Sequence, residues 1–295
     1  VKVRFAVAPG IDALETSALT DLIDGLEARG FDTLWLSDIP LGSLIDPLLG
    51  LAYASGRTTR LKLGANVVPF GRNPLLLAKE LAQLDRLSGG RLLISLVSGI
   101  DQPGEREALG IGGADRGRRT EEIVALLRRW WAGEAVVHEI DGLRFDGLTI
   151  SPLPVQEPLE IWLGGIGPKA LDRVGRIADG WLGAMTPPVE IPVALQRIEQ
   201  GAESVGRSID PEHMGMSLAY SRTPPDARAL EGLRRRKPDA DPADLLPVGR
   251  DGVRDLVQRY VDAGVSKFVL RPLGQVAAWD DELDWLADTV LDLTA

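Results

Sequence analysis

The feature that most constrains this chain is an alternation of strand-like and helix-like segments that repeats eight times along its 295 residues. It begins with Val1-Lys2-Val3-Arg4-Phe5-Ala6-Val7, where apolar and charged residues alternate at the period of a strand. Leu14, Ala18, Leu22, Ile23 and Leu26 then recur at helical spacing, and Gly30 closes that helix. Thr33-Leu34-Trp35-Leu36-Ser37 reads as the second strand, and Asp46-Pro47 supplies a cap and a first-turn proline for a helix through Ala54. Leu61 to Val68 forms a third strand, after which Asn73-Pro74 opens a helix carrying Leu77, Leu81, Leu84 and Leu87. The remaining strands are Leu92 to Val97, Ile161 to Leu163, Trp181 to Ala184, Met214 to Tyr220 and Phe268 to Leu270. Each is followed by a helical period, the last running through Leu283, Leu286 and Val290.

Short, largely apolar strands suit a parallel sheet covered on both faces. Eight such units in this length favour closure into a (β/α)8 barrel over an open doubly wound sheet, with one domain spanning 1–295. Connection lengths then locate function, because loops running from strand to helix lie on the catalytic face of a barrel. Two long connections fall there. Ser98 to Arg119 is one; Ser221 to Arg250 is the other, read either as a lid or as an ordered peripheral helix pair. The stretch 136–150 reads as a hairpin turning at Asp141-Gly142 on the opposite face.

Composition removes several classes of function. A net charge of −10 makes the surface as a whole repel nucleic acid and anionic membrane, so neither is an expected partner. The absence of cysteine removes disulfides, thiolate metal sites and a cysteine nucleophile together. No apolar run is long enough for a membrane span and the first residues read as a strand, so a cytoplasmic location is the default expectation. The two histidines, His138 in the hairpin and His213 just before the seventh strand, both fall on the non-catalytic face. That placement argues against histidine acid–base catalysis and against a histidine-based metal site.

The strand ends on the catalytic face carry other groups: Ser37 and Asp38, Asn66, Ser98 and Gly99 with Asp101 and Gln102 beyond, Thr186, Tyr220 and Arg271. Asp38 has three readings, as a base, as an acceptor for a cofactor ring, or as a helix cap. Arg271 pairs either an anionic substrate or an acid across the barrel rim. Gly164-Gly165-Ile166-Gly167-Pro168-Lys169 joins the fifth strand to its helix. Glycines let backbone amides approach an anion and a helix N-terminus adds a favourable dipole, although a plain tight turn uses the same residues. A dinucleotide fingerprint would need its glycines after the first strand, and the Gly-Lys-Ser/Thr of a P-loop is absent. Asp38 and Asp101 keep a carboxylate-pair hydrolase or lyase open as a rival.

Read in order, Gly30-Phe31-Asp32-Thr33-Leu34-Trp35-Leu36-Ser37-Asp38, Thr59-Arg60-Leu61-Lys62-Leu63-Gly64-Ala65-Asn66-Val67 and Ser88-Gly89-Gly90-Arg91-Leu92 resemble the luciferase-like monooxygenase superfamily. The likeness continues through Trp130-Trp131-Ala132-Gly133-Glu134, Ile161 to Pro168, Ala178-Asp179-Gly180-Trp181-Leu182 and Asp262-Ala263-Gly264-Val265. The resemblance implies a homodimeric (β/α)8 barrel that binds FMN or the deazaflavin coenzyme F420 at its strand ends. Gly-Gly-x-Gly-Pro favours the F420-dependent branch. Carried onto this chain, it implies Asp38 and Asn66 as the catalytic residues at the ring and a non-prolyl cis peptide between Asn66 and Val67. Ser98 and Gly99 would lie along the ring, and Gly164, Gly165, Ile166 and Gly167 on the phosphate.

Two departures bear on chemistry. Ile39 follows Asp38 where F420-dependent dehydrogenases carry histidine, and Ile100 stands where some members place an acid, with Asp101 one position later. Both remove proton-transfer groups and leave an apolar substrate pocket drawn from Ile39, Ile100, Asp101, Thr186 and Arg271. The expected activity is hydride transfer between F420 and a small, apolar organic substrate, since the cofactor itself carries that chemistry. The alternatives are FMN-dependent monooxygenation with O₂ and a catalytically degenerate barrel that binds cofactor without turnover.

Overall fold

Each expected strand forms, and the eight parallel strands close on one another. The computed structural model describes residues 2–10, 14–99, 102–111 and 115–294. The barrel strands are β1 (Arg4–Val7), β2 (Thr33–Ser37), β3 (Lys62–Val67), β4 (Leu92–Leu96), β7 (Ile161–Gly164), β8 (Gly180–Ala184), β9 (Met214–Tyr220) and β10 (Lys267–Pro272). Their order around the barrel is β1-β10-β9-β8-β7-β4-β3-β2. The principal helices outside them are α1 (Thr16–Arg29), α2 (Pro47–Ser55), α3 (Pro74–Leu87), α5 (Arg116–Trp131), α6 (Pro168–Ile177), α7 (Ile191–Glu203), α9 (Gly249–Asp262) and α10 (Trp279–Val290).

Local chemistry explains the boundaries. The Asp46 carboxylate caps α2 by accepting from Leu48 N–H at 2.8 Å, and Asn73 Oδ1 caps α3 through Leu75 N–H at 3.0 Å. Gly30 ends α1 at φ 78°, a left-handed position that glycine adopts without strain. The hairpin β5 (Val136–Ile140) and β6 (Leu143–Leu148) turns at Asp141-Gly142, both with positive φ as a type I′ turn requires. The connection after β4 contains a short helix α4 (Glu105–Ala108). The one after β9 contains α8 (Ala227–Arg236) and a 3-10 turn, Pro242–Asp244. This second connection is tied back to the barrel by a parallel bridge between Ser221 and Val248.

Strand parity separates two cores. Outward residues such as Phe5, Leu34, Leu63, Ile94 and Ile161 pack against the helices. Inward residues form a smaller cluster of Ala6, Ala8, Trp35, Trp162, Leu182 and Val269. Two tryptophans therefore fill the barrel, and glycines make room for them. Gly64 lies against the Trp35 ring, and a Cβ on Gly180 would meet Trp162 at 2.5 Å. At the N-terminal ends of the strands the interior is closed by charge. Lys267 Nζ lies 2.7 Å from Asp32 Oδ2, and Lys62 Nζ lies 3.3 Å from Asp32 Oδ1.

The histidines sit where loop position put them. His138 on the hairpin has Nε2 2.7 Å from Glu122 Oε1 of α5, and His213 Nδ1 is 2.9 Å from the Asp179 carbonyl below β9. One expectation carried by family likeness is corrected. Among the described residues the cis peptides are Ser151-Pro152 and Glu157-Pro158, and Asn66-Val67 is trans. The reason lies in the ladder, which stays regular through this bond. Asn66 pairs with Ser95 and Val67 with Leu96, while Asn66 O accepts from Asp38 N–H and Val67 O from Val97 N–H. A non-prolyl cis bond costs about 3 kcal/mol and would break that register.

Candidate active site at the barrel mouth

Register builds the floor of the mouth. Ser37, Asn66, Ser95 and Trp162 are in-register neighbours on four successive strands, so they share the inward face. Asn66 Nδ2 donates to Ser37 Oγ at 3.1 Å. Among the described residues, Asn66 Oδ1 and Ser95 Oγ are buried with no hydrogen-bond partner, as is the indole nitrogen of Trp35. An unpaired buried polar atom costs about 1–3 kcal/mol, so such a cluster at one open end of a barrel marks where a ligand completes the bonding.

Asp38 is placed differently from a group reaching into the mouth. Its Oδ2 accepts from Val68 N–H at 3.1 Å and from Arg72 at 3.0 Å, and Arg72 also reaches Asp46 at 2.8 Å. The Asp38 amide meanwhile donates to Asn66 O. Asp38 thus brackets Asn66-Val67 from both sides. Burial raises its carboxyl above the usual range, with Arg72 opposing. The Val67 side chain points outward into the helix-facing core, leaving only its backbone near the mouth. Thr186 turns its hydroxyl onto the Ala184 carbonyl at 3.1 Å, and its own carbonyl accepts from Tyr260, so it lines neither cleft of the mouth. Tyr220 likewise faces outward, donating to Glu282 at 2.6 Å.

The larger cleft, of about 820 Å³, opens between the ends of β4 and β7. Ser98, Gly164, Gly165 and Gly167 line it, together with Arg106 of α4 and the first turns of α5 and α6. Gly165 has φ 113°, and a Cβ there would meet Ala170 Cβ at 2.8 Å, so this turn demands glycine. Among the described residues the Ile166 and Gly167 amides form no backbone hydrogen bond, and both residues are exposed. The Ile166 side chain is exposed too, so its part in the cleft is its backbone. Gly167 precedes Pro168 at the start of α6, where helix-end amides favour an anion.

Four cationic side chains surround these amides: Arg106, Arg116, Lys169 and Arg173. Arg173 is shared with Glu121 at 3.1 Å, and Arg116 donates to the Ser98 carbonyl at 3.3 Å. Sequence reasoning missed Arg106, Arg116 and Arg173 and took Lys169 only as the end of the glycine run, although Lys169 and Arg173 are spaced i, i+4 on the helix that follows. It also missed Glu105, whose buried carboxylate packs against Gly99 and accepts from Gln102 N–H at 2.9 Å. That contact, with φ 80°, accounts for glycine at position 99.

A second, smaller cleft lies across the barrel where β1, β2 and β10 end. Trp35, Ser37, Ile39, Leu44 and Arg271 line it, which places Ile39 and Arg271 at the mouth. Ile100 and Asp101 lie outside the described residues. Burial lowers the Arg271 pKa, and the charge of Arg236 adds to that effect.

Closure of eight parallel strands around a mouth at their C-terminal ends defines a (β/α)8-barrel enzyme. The chain belongs to the luciferase-like monooxygenase family, whose model matches residues 3–266. It is 32% identical over 199 residues to a 5,10-methylenetetrahydromethanopterin reductase of Methanolobus tindarius, covering 66% of this chain and 57% of that protein. It is 29% identical over 294 residues to an F420-dependent glucose-6-phosphate dehydrogenase of Nakamurella multipartita, covering 90% of this chain and 86% of that one. The solved F420-dependent tetrahydromethanopterin reductase of Methanopyrus kandleri shares the fold, with a TM-score of 0.79, 20% identity and full coverage of both chains.

Proposed function

We propose that this chain is an oxidoreductase that holds coenzyme F420 without a covalent link and passes hydride between it and a small organic molecule. The observation that carries this reading is the pairing of unpaired acceptors with an anion cleft across three successive strands, β3, β4 and β7. Ser95 on β4 and Asn66 beside it offer buried acceptors to ring N–H donors. Ser98 and Gly164, a few residues further along β4 and β7, open the glycine-lined cleft for a phosphate-bearing tail. The bound coenzyme supplies the hydride chemistry. Asn66 binds the ring, and Asp38 is a positioning residue that fixes Asn66-Val67. Ser98, Gly164, Gly165, Ile166 and Gly167 hold the tail with Lys169 and Arg173, and Trp35 and Ile39 keep water from the reacting face.

FMN is the alternative ligand, favoured by the monooxygenase description of the family and by a phosphate that the same cleft would accept. A barrel that binds cofactor without turnover is the remaining reading, motivated by Ile39 and Ile100. The chain is taken as one domain over 1–295 that acts in the cytoplasm on a small molecule, not on nucleic acid or membrane. A homodimer is supported by the exposed apolar side chains Leu49 and Tyr53 on α2 and Leu76 and Leu87 on α3; light scattering reads its mass. Titration of the purified protein with F420 and FMN separately, followed by absorbance and fluorescence, tests the cofactor. Saturable F420 binding that Gly165→Asp weakens at least about tenfold is the expected result, because the substitution distorts a turn that demands glycine and sets a carboxylate against the tail. Binding unchanged by that substitution removes the tail assignment, and binding of neither cofactor removes the reading.

A further inference from the structure

One guanidinium joins two carboxylates behind the end of β3. Arg72, in the turn between β3 and α3, places its Nη2 3.0 Å from Asp38 Oδ2 and 2.8 Å from Asp46 Oδ2. Asp46 is the cap of α2, and its other oxygen accepts from Leu48 N–H at 2.8 Å. Asp38, which follows β2, passes the tie on. Its Oδ2 accepts from Val68 N–H at 3.1 Å, and its own amide donates to Asn66 O at 2.9 Å. Asn66 in turn donates to Ser37 Oγ and carries one of the unpaired acceptors of the mouth. An unbroken run of hydrogen bonds therefore leads from the α2 cap to Asn66, and Arg72 is the cation in it.

The two acids do not share that cation on equal terms. The Asp38 side chain is 7% exposed, against 34% for Asp46, so water does little to support its charge. Burial favours the neutral form of Asp38, Arg72 opposes burial, and the charge of Asp46 works with it. A carboxylate accepts an amide hydrogen bond about twice as strongly as a neutral acid does, so the hold on Val68 N–H depends on an ionised Asp38. We propose that Arg72 is a positioning residue whose guanidinium, bonded to Asp38, holds Asn66 and Val68 in place for the cofactor ring. The hold is electrostatic: without Arg72, Asp38 takes up a proton at higher pH and its grip on the end of β3 weakens. Asp46 is the counterweight, because it draws on the same nitrogen. The role at the ring rests on the oxidoreductase reading; the clamp on Asp38 does not.

Two measurements test this. Carboxyl-carbon NMR of the ligand-free protein follows Asp38, identified as the resonance that Asp38→Asn deletes. Arg72→Gln should move its titration up by about one pH unit or more, and Asp46→Asn should move it down. Asparagine still caps α2, so the second variant changes charge and not the helix start. Arg72→Lys should recover most of the wild-type titration, because one nitrogen serves both carboxylates and an ammonium has donors enough for that. Fluorescence titration with F420 and, in parallel, FMN reads the consequence as the ratio of variant to wild-type affinity at each pH, which cancels the ionisation of the cofactor itself. For Arg72→Gln the ratio should lie within about threefold of unity at about pH 8 and fall at least about fivefold further by about pH 5.5. The sign follows because the clasp is present above the Asp38 titration, and that titration has moved up. On an Asp38→Asn background the same substitution should give a ratio that does not change with pH. An Asp38 titration unmoved by Arg72→Gln, or moved the same way by Asp46→Asn, would overturn the clamp. An affinity loss equal at every pH, or a pH dependence that persists without Asp38, would overturn the positioning role. Binding of neither cofactor to wild type overturns the oxidoreductase reading and the role at the ring with it, while the NMR titrations decide the clamp separately.

Discussion

Replacing Asp32 by asparagine tests the charged floor of the barrel. Burial by itself raises the Asp32 carboxyl, but Lys267 and Lys62 outweigh it and hold the group at about 2, against an ordinary 3.8. With only 19% of the side chain exposed, little of that interaction is screened by solvent. The gap corresponds to about 2.5 kcal/mol of stability at neutral pH. Because the folded state binds the proton less tightly than the unfolded one, this contribution is present above the ordinary carboxylate range. It is lost as pH falls towards about 2. Asp32→Asn also strands Lys267, whose pKa burial lowers even with Asp32 present, so the total cost at pH 7 should reach about 3 kcal/mol or more. Urea unfolding followed by circular dichroism measures the wild-type-minus-mutant gap. It should narrow by about 1.1 kcal/mol between pH 7 and about pH 3. At alkaline pH the mutant should recover part of its loss as Lys267 gives up its proton. A gap that does not change with pH, or a mutant as stable as wild type, would refute this account of the floor.

Two further outcomes follow from the same geometry. Gly64→Ala places a methyl group against the Trp35 ring and should destabilise the fold by about 1–3 kcal/mol, seen as a lower urea midpoint with unchanged slope. Lys169→Gln removes an exposed cation beside the glycine turn. It should weaken cofactor binding about fivefold in dilute buffer and by much less at about 0.5 M salt.

What the sequence disclosed, and what it withheld, divides by distance along the chain. Asp46-Pro47, Asn73-Pro74, Gly30 and Asp141-Gly142 act on their immediate neighbours, and each formed the cap or turn its chemistry requires. The eight alternations gave the barrel, and loop position alone sent His138 and His213 to its closed end. The floor pairing of Asp32 with Lys267 joins residues 235 positions apart, and no local pattern announces it. The same holds for Arg106 and Arg116, which meet Lys169 and Arg173 only because β4 and β7 become neighbours on closure. Asp38 was visible as a strand-end acid, but its clasp on Val68 and Arg72 depends on a loop 30 to 34 residues away. Outward orientation of Val67 was hidden for a related reason: parity fixes a face only once strand ends are known to the residue.

The glycine–tryptophan plug separates two properties that most enclosed sites tie together. The hydrogen-bonded frame of the barrel sets the width of the chamber, whereas its depth is set by the Trp35 and Trp162 rings, which contribute nothing to the ladder between strands. A shorter side chain at position 35 would deepen the chamber towards Gly64 while every strand kept its register. Chamber depth in this fold is thus a dial turned by one residue at a time, and molecules of different length become accessible without redrawing the scaffold.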